Sequence, residues 1–432
     1  MGLYNLKVLE KMQKRRCLRQ TYYQMLYKSI EPVIIFCRIV GFLPTLEKKS
    51  KEEKIVKTTN KDWVLFVIYL TSYLTILLYN LKVLINKEIA FYISRRMQIV
   101  YLSISGLYTL GLIVFGYTER RVVNLCINRI SEVDNFLKLA ELGIVYEDVQ
   151  VKLRRTFFII LTLTGFRTLF FSLVVEIYFL QHVCIFFNLI LKLAFVFTFT
   201  MFAELVSYRF ELINNTLRSY LNRHVDIHNT SSYIEKLYIL CRSHFKLCKV
   251  VVKLTSSYGY QLLITGVALI ANFVSVFYLL YSFWNRNSGE IIKLVAISFW
   301  FLTEAYELYG MVSKCSQASD DANELPITLH ELQDEVNSTE IEDHIQMYSL
   351  KMLHQKLCFS ALEFFDFDFS LLFAIMGSVL TFLVIVLQLE QLEQVENSLG
   401  IVVTEFVNKS IIATTTMSDD IVEGDYYDYD DY

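Results

Sequence analysis

Seven stretches of this chain are each apolar over about 20 residues or more, the length a helix needs to cross the ~30 Å hydrocarbon core of a bilayer. They lie at residues 63–85, 90–117, 157–180, 183–208, 261–284, 291–312 and 369–389. A backbone inside hydrocarbon must satisfy its polar groups internally, and runs of this length do so only as helices. The pattern predicts an all-α integral membrane protein with seven transmembrane helices. The composition agrees, with 54% hydrophobic and 20% charged residues, more apolar than an ordinary soluble domain.

Orientation follows from Lys and Arg, which favour the cytosolic side. If the N-terminal segment and every second loop share one side, that side carries about 32 Lys and Arg and the other about 5. The N-terminus is therefore expected in the cytosol and the C-terminus outside. Residues 1–62 form a basic cytosolic segment in which EPVIIFCRIVGFLP, too short to span, is expected to lie as an interfacial helix. Residues 63–389 form the transmembrane domain. Its long cytosolic loop, 209–260, alternates apolar and basic residues at helical spacing in IEKLYILCRSHFKLCKVVVKL, so it should be helical and continue into the fifth span. Residues 390–432 end in EGDYYDYDDY and are expected to be an extracellular, acidic, disordered tail. Of four sequons, Asn408 falls outside and is expected to be glycosylated, while Asn214, Asn229 and Asn337 stay cytosolic and bare.

Several function classes are excluded. A G-protein-coupled receptor has the opposite orientation, and its acidic–Arg–Tyr and NPxxY motifs are missing here. No phosphate loop, HExxH motif or nucleophile elbow points to an enzyme. His224 and His228 share a helical spacing but have no third ligand, and the eight cysteines form no CxxC pair. No cofactor, metal or nucleic-acid partner is expected. A transporter is the alternative, but inverted repeats with matching Gly/Pro breaks are not seen.

Charged residues within spans are costly, about 2.5–3.5 kcal/mol each at the membrane centre. Arg167, Glu176, Lys192 and Glu304 qualify. By depth, Arg167 should meet Glu304, and Glu176 should meet Lys192. Aromatic and polar residues in the outer half, Tyr101, Tyr178, Asn188, Asn272, Tyr278, Tyr281 and Trp300, suit a pocket for a small organic ligand. Trp284, at a helix end, suits an interfacial anchor.

The last span carries a stripe. Gly377, Thr381, Val384, Gln388 and Gln391, with Ser378 and Ile385 beside them, share one helical face, and the bulky residues lie off it. Such a stripe either packs on another helix or lines water.

The order of these features resembles the insect gustatory receptors along the whole chain. It is carried by SIEPVIIFCRIVGFLP, RFELINNTLRSYL and LHQKLCFSALEFFDFDFSLLFAIMGSVLTFLVIVLQLE. That family's last span ends in Thr-Tyr, five apolar residues and Gln-Phe. Here Thr381 and Gln388 match, with Phe382 and Leu389 in the other two places. Glu363 stands where the family commonly has Gly, and this chain continues some forty residues beyond the motif.

The resemblance implies a ligand-gated, non-selective channel for Na⁺, K⁺ and Ca²⁺ in the plasma membrane of chemosensory neurons, with a small-molecule tastant as ligand. A bitter or plant compound is favoured and a sugar second. It also implies a homo- or hetero-tetramer with gustatory receptor subunits in membrane lipid, the last helices surrounding the pore. Thr381, Val384, Ile385 and Gln388 would then form the pore and gate. Glu390 and Glu393 would ring its outer mouth.

The topology is checked by surface staining. A tag after Tyr432 should be reached by antibody on intact cells and a tag before Met1 only after permeabilisation; the reverse pattern refutes the loop assignment.

Overall fold

A computed structural model of the chain describes residues 22–42, 60–86, 92–174, 179–221, 230–285, 291–335, 339–353 and 356–422. Among these residues the regular structure is helical, with a single isolated bridge between Ser360 and Asp366. The helices are α1 (22–39), α2 (Asn60–Asn86), α3 (Tyr92–Leu139), α4 (Tyr146–Val174), α5 (Phe179–Leu221), α6 (Thr230–Asn285), α7 (Ile291–Glu335), α8 (Thr339–Leu353) and α9 (Phe369–Val422).

Six of these, α2 to α6 and α9, carry spans long and apolar enough to cross a membrane. The helix over the expected sixth span, α7, falls short of that apolarity because it holds Glu304 and Glu307. Their partners are described below.

The helices outrun the bilayer. At ~1.5 Å per residue, the 56 residues of α6 reach about 84 Å, and α3, α5 and α7 are nearly as long. In these four helices the ends that extend beyond the spans lie on the side that the Lys/Arg bias assigns to the cytosol. The segment 230–260 is one helix with the fifth span, as its spacing predicts.

Within the bundle, 61% of α5's span is buried, against 17% for α2 and for α9, so α5 is the central helix. Its run from Leu193 to Ala203 carries no charge and is buried on nearly every side, as a surrounded helix must be. α5 packs along α7 and α3 along α6. Helix α1 turns Leu26, Ile30, Val33, Ile34 and Cys37 inward. Phe36 packs on Phe157 and Phe197, which docks α1 on α4 and α5. Its apolar face thus meets protein.

Two polar devices organise the end of the bundle that the Lys/Arg bias assigns to the cytosol. Arg209 grips Asp134 with both arms, at 2.6 and 2.7 Å, and Tyr146 donates to the same carboxylate at 2.7 Å. This forked, charge-assisted geometry joins α3, α5 and the start of α4. In α7, Pro326 has no N–H, so the carbonyl of Ala322 loses its helical donor. His244 of α6 donates to that carbonyl at 2.9 Å, and the helix continues through the proline.

The last helix departs most from expectation. It does not stop at Leu389 but runs to Val422, through a segment expected to be disordered. Residues 390–422 contain no proline and only Gly400, and apolar residues recur there at helical spacing. Asn408 sits on this extension; the acidic end EGDYYDYDDY lies outside the described residues.

Before α9, residues 356–368 turn tightly. Leu362 and Glu363 adopt φ of 52° and 64°, and Leu362 presses against Gly259. A left-handed conformation costs a non-glycine residue about 1–2 kcal/mol. Glu363 is exposed, so Glu363→Gly should stabilise the protein by about 0.5–1 kcal/mol, read as a rise in melting temperature in detergent; a fall would show that the Glu363 side chain contributes more than the strain.

Candidate functional site

The site is built around four buried charges within the spans. Arg167 lies on α4, Lys192 on α5, and Glu304 and Glu307 one turn apart on α7. Arg167 Nη1 donates to Glu304 Oε1 at 2.8 Å and lies 3.7 Å from Glu307 Oε1. Lys192 Nζ contacts Glu304 and stands 3.0 Å from Glu307 Oε2. Thr164 donates to Glu307 at 3.1 Å, and Arg167 to Thr303 at 3.1 Å. All four charged side chains are buried. Two cations and two carboxylates cancel, and Thr164 and Thr303 add hydrogen bonds, while Arg167 Nε and Nη2 have no hydrogen-bond partner among the described residues.

Sequence depth placed Arg167 opposite Glu304, and the structure puts them in contact. Lys192 was expected to meet Glu176; it turns instead to Glu304 and Glu307, and Glu176 lies outside the described residues. Glu307 was not anticipated. Its signal was the i, i+3 spacing from Glu304, which puts both carboxylates on one helix face.

Above this cluster is a cleft open at its mouth, with Lys192 and Glu304 in its wall. Four helices each give it one face. α3 supplies Tyr101, Ser105 and Tyr108, α5 Asn188 and Lys192, α6 Thr265 and Asn272, and α7 Trp300 and Glu304. The spacings of three, four and seven are those of single helix faces. Trp300 has the Arg167 guanidinium over its ring at 4.6 Å and Phe171 beside it at 4.8 Å. Such cation–π stacking holds the indole in place.

Polar groups in the walls are partly committed. Asn188 donates to Ser105, and Thr265 to the Gln261 carbonyl at 2.6 Å. The Asn272 carboxamide has no hydrogen-bond partner among the described residues and is available to a ligand. An aromatic, mostly apolar hollow with a few aimed polar groups is the usual form of a small-molecule site.

Of the residues proposed from sequence for a pocket, Tyr101, Asn188, Asn272 and Trp300 meet in this cavity. Tyr278 is buried elsewhere, Tyr281 is half-buried away from it, and Tyr178 lies outside the described residues. Trp284 is 77% exposed at its helix end, where an interfacial anchor would sit. Sequence reading missed Ser105, Tyr108 and Thr265, which are ordinary polar residues in long helices until α3 and α6 pack together.

The α9 stripe faces outward. Thr381, Val384, Ile385 and Gln388 are all exposed on the single chain. Thr381 and Ser378 return their hydroxyls to Gly377 and Ala374 carbonyls of their own helix, both at 2.9 Å. The opposite face, with Leu371, Ile375 and Val379, is buried, and α9 packs chiefly on α6. Glu390 and Glu393 do not extend the stripe. At about 100° per residue they lie roughly 140–200° around the helix from Gln388, and Glu390 is buried. On the single chain the two carboxylates thus do not share the face of Gln388.

The ion cluster predicts a balance rule. Lys192→Met alone leaves a buried uncompensated carboxylate and should destabilise the fold by about 3–5 kcal/mol, read as loss of folded protein at the cell surface. Adding Glu307→Gln restores neutrality and should recover most of it; an additive loss in the double variant would sink the cluster's electrostatic role.

Comparison with known proteins agrees with this architecture. A family model described as 7tm Chemosensory receptor matches residues 30–393. Gustatory receptor 28b of Drosophila melanogaster is 22% identical over 427 residues, covering 87% of this chain and 88% of that one. The gustatory receptor for bitter taste 66a of the same organism is 25% identical over 172 residues, 38% of this chain and 32% of that one. Among solved structures, the insect olfactory receptor OR5 from Machilis hrabei superposes with a TM-score of 0.65 at 13% identity, covering 85% of this chain and 99% of that one. The same receptor in complex with eugenol gives 0.64 at 14% identity, with the same coverage.

Proposed function

The chain belongs to the 7tm chemosensory receptor family, and from that premise we propose that it is a tastant-gated, non-selective cation channel of the plasma membrane of chemosensory neurons. The observation that carries this reading is α9, a spanning helix that buries one face in its own subunit and leaves Thr381, Val384, Ile385 and Gln388 bare. Four copies, of this chain alone or with related subunits, would turn that face to a common axis. Val384 and Ile385 then form an apolar constriction that closes by dewetting, and Gln388 offers amides to Na⁺, K⁺ or Ca²⁺.

The ligand site in this reading is the cavity between α3, α5, α6 and α7. Trp300 and Tyr101 give it aromatic surface, and Asn188 and Asn272 give it polar contacts. A bitter or plant-derived molecule is favoured over a sugar, in keeping with the aromatic walls, with the relative named for bitter taste and with the eugenol complex of the olfactory receptor. Transmission to α9 has a short route. Thr265 lines the cavity, and a Cβ on the next residue, Gly266, would stand 2.8 Å from Phe365 in the turn that leads into α9. A ligand that shifts α6 would therefore press on that turn.

The decisive experiment is a tastant panel on cells expressing the chain and lacking G-protein coupling. Ligand-evoked current supports the channel; substrate-coupled flux without conductance refutes it. Asn272→Ala and Trp300→Ala should shift the dose–response at least tenfold at unchanged surface level. Gln388→Leu should cut current at every dose without moving the midpoint.

A further inference from the structure

The extension of α9 beyond the membrane carries a pattern that no single chain satisfies. Continued outward from Gln388, the stripe passes through Leu392, Val395, Leu399, Val402 and Phe406. All of these stay within about 40° of Gln388 at about 100° per residue. The character of the stripe inverts along its length. Through the first part of the span it is small or polar, with Ser370, Ala374, Gly377 and Thr381, and after Val384 and Ile385 only Gln388 is polar before the extension, where it is branched, aliphatic or aromatic. Hydrocarbon tolerates apolar faces and water tolerates polar ones, so both halves of this stripe are in the wrong solvent unless protein covers the outer half. On the described chain nothing does: Leu392 is 65%, Val395 55% and Leu399 59% exposed.

The spacing names the partner. Leu392, Val395, Leu399, Val402 and Phe406 are separated by three, four, three and four residues, a 3.5-residue repeat with Leu392, Leu399 and Phe406 at position a and Val395 and Val402 at d. A strict heptad seam is the mark of a helix that packs against other helices in register. No charge occupies an a or d position through Phe406; Glu390, Glu393, Glu396 and Glu405 all fall elsewhere. The repeat is in phase with Ile385 at a and Gln388 at d, so the helices that meet within the span also meet beyond it. Leu at a with a β-branched residue at d favours assemblies above the dimer.

We propose that residues 392–406 form a parallel coiled coil between copies of this chain, an assembly element that continues the α9 contacts beyond the membrane. It rests on the reading of α9 as the helix that faces the other subunits. Its apolar seam would hold the outer ends of the α9 helices together around the axis and set their register.

The test is disulfide cross-linking of the full-length protein in membranes, with single cysteines at seam positions Val395 and Leu399, at off-seam positions Gln394 and Asn397, and at Thr381 within the span, against the unsubstituted chain as background. Seam cysteines should give at least ten times more oxidant-induced dimer than off-seam ones. Equal or absent linking at Val395 and Leu399 overturns the proposal, and linking at Thr381 in that case leaves the pore reading standing. Linking at the seam without linking at Thr381 keeps the coiled coil and removes the pore stripe. A chain ending after Glu393 provides an independent measure: its assembled fraction in mild detergent should drop at least tenfold, and an unchanged fraction also overturns the proposal.

Discussion

Two carboxylates one turn apart cannot enter hydrocarbon on one helix unless cations meet them, and the rest of the membrane bundle follows from how this is met. Glu304 and Glu307 make α7 too polar to pass as a span by composition, and Arg167 and Lys192 reach them from two other helices. The four charges therefore tie α4, α5 and α7 into one lateral order. Dispersion and small-residue packing tolerate sliding and rotation of membrane helices; a neutral tetrad at 2.8–3.7 Å separations for Arg167 does not. The cluster also determines what can be built beside it. Trp300 is held over Arg167, one turn from Glu304, and the cavity takes its polar end from Lys192 and Glu304.

Much of this was legible from residue order because the bilayer converts length and polarity into position. Span length gave the helices, and the basic loops are the segments into which α3, α5, α6 and α7 extend. Depth along a span was enough to set Arg167 opposite Glu304. It was not enough for Lys192, because depth ranks candidates without saying which helices are neighbours. The cavity shows the same limit. Asn188, Asn272 and Trp300 attract notice as polar or aromatic residues in apolar runs, whereas Tyr108 and Thr265 acquire meaning only when α3 lies along α6. The donation from His244 to the carbonyl freed by Pro326 is likewise a contact between helices distant in sequence. The end of α9 was misjudged for a different reason: the acidic terminus suggested disorder for a segment whose first thirty residues keep a helical repeat.

Helix α6 separates the two parts of the proposed mechanism and connects them. On one side Thr265 and Asn272 face the cavity; on the other, Gly259 and Gly266 admit Leu362 and Phe365 from the turn before α9. The close approach needs glycine at both points, since a Cβ would lie 2.7 Å from Leu362 and 2.8 Å from Phe365. A wall packed this tightly has little room to deform, so a displacement on the cavity side is passed on as movement of the helix as a whole. The turn that receives it is already strained at Leu362 and Glu363.

That arrangement gives the two ends of α9 different tasks. The inner end is held to its own subunit by Leu371, Ile375 and Val379 and by the turn against α6, so it follows whatever α6 does. Beyond the span, Leu392, Val395 and Leu399 are exposed on the single chain, and the seam they begin is suited to other copies. A helix anchored at one end to a moving wall and at the other to a shared axis must tilt or rotate between them. The residues that lie between those anchors are Thr381, Val384, Ile385 and Gln388. In the proposed channel the gate is thus placed where the constraint of one subunit gives way to the constraint of the assembly, and the aliphatic seam beyond it supplies the fixed point against which a small movement at the cavity can be felt.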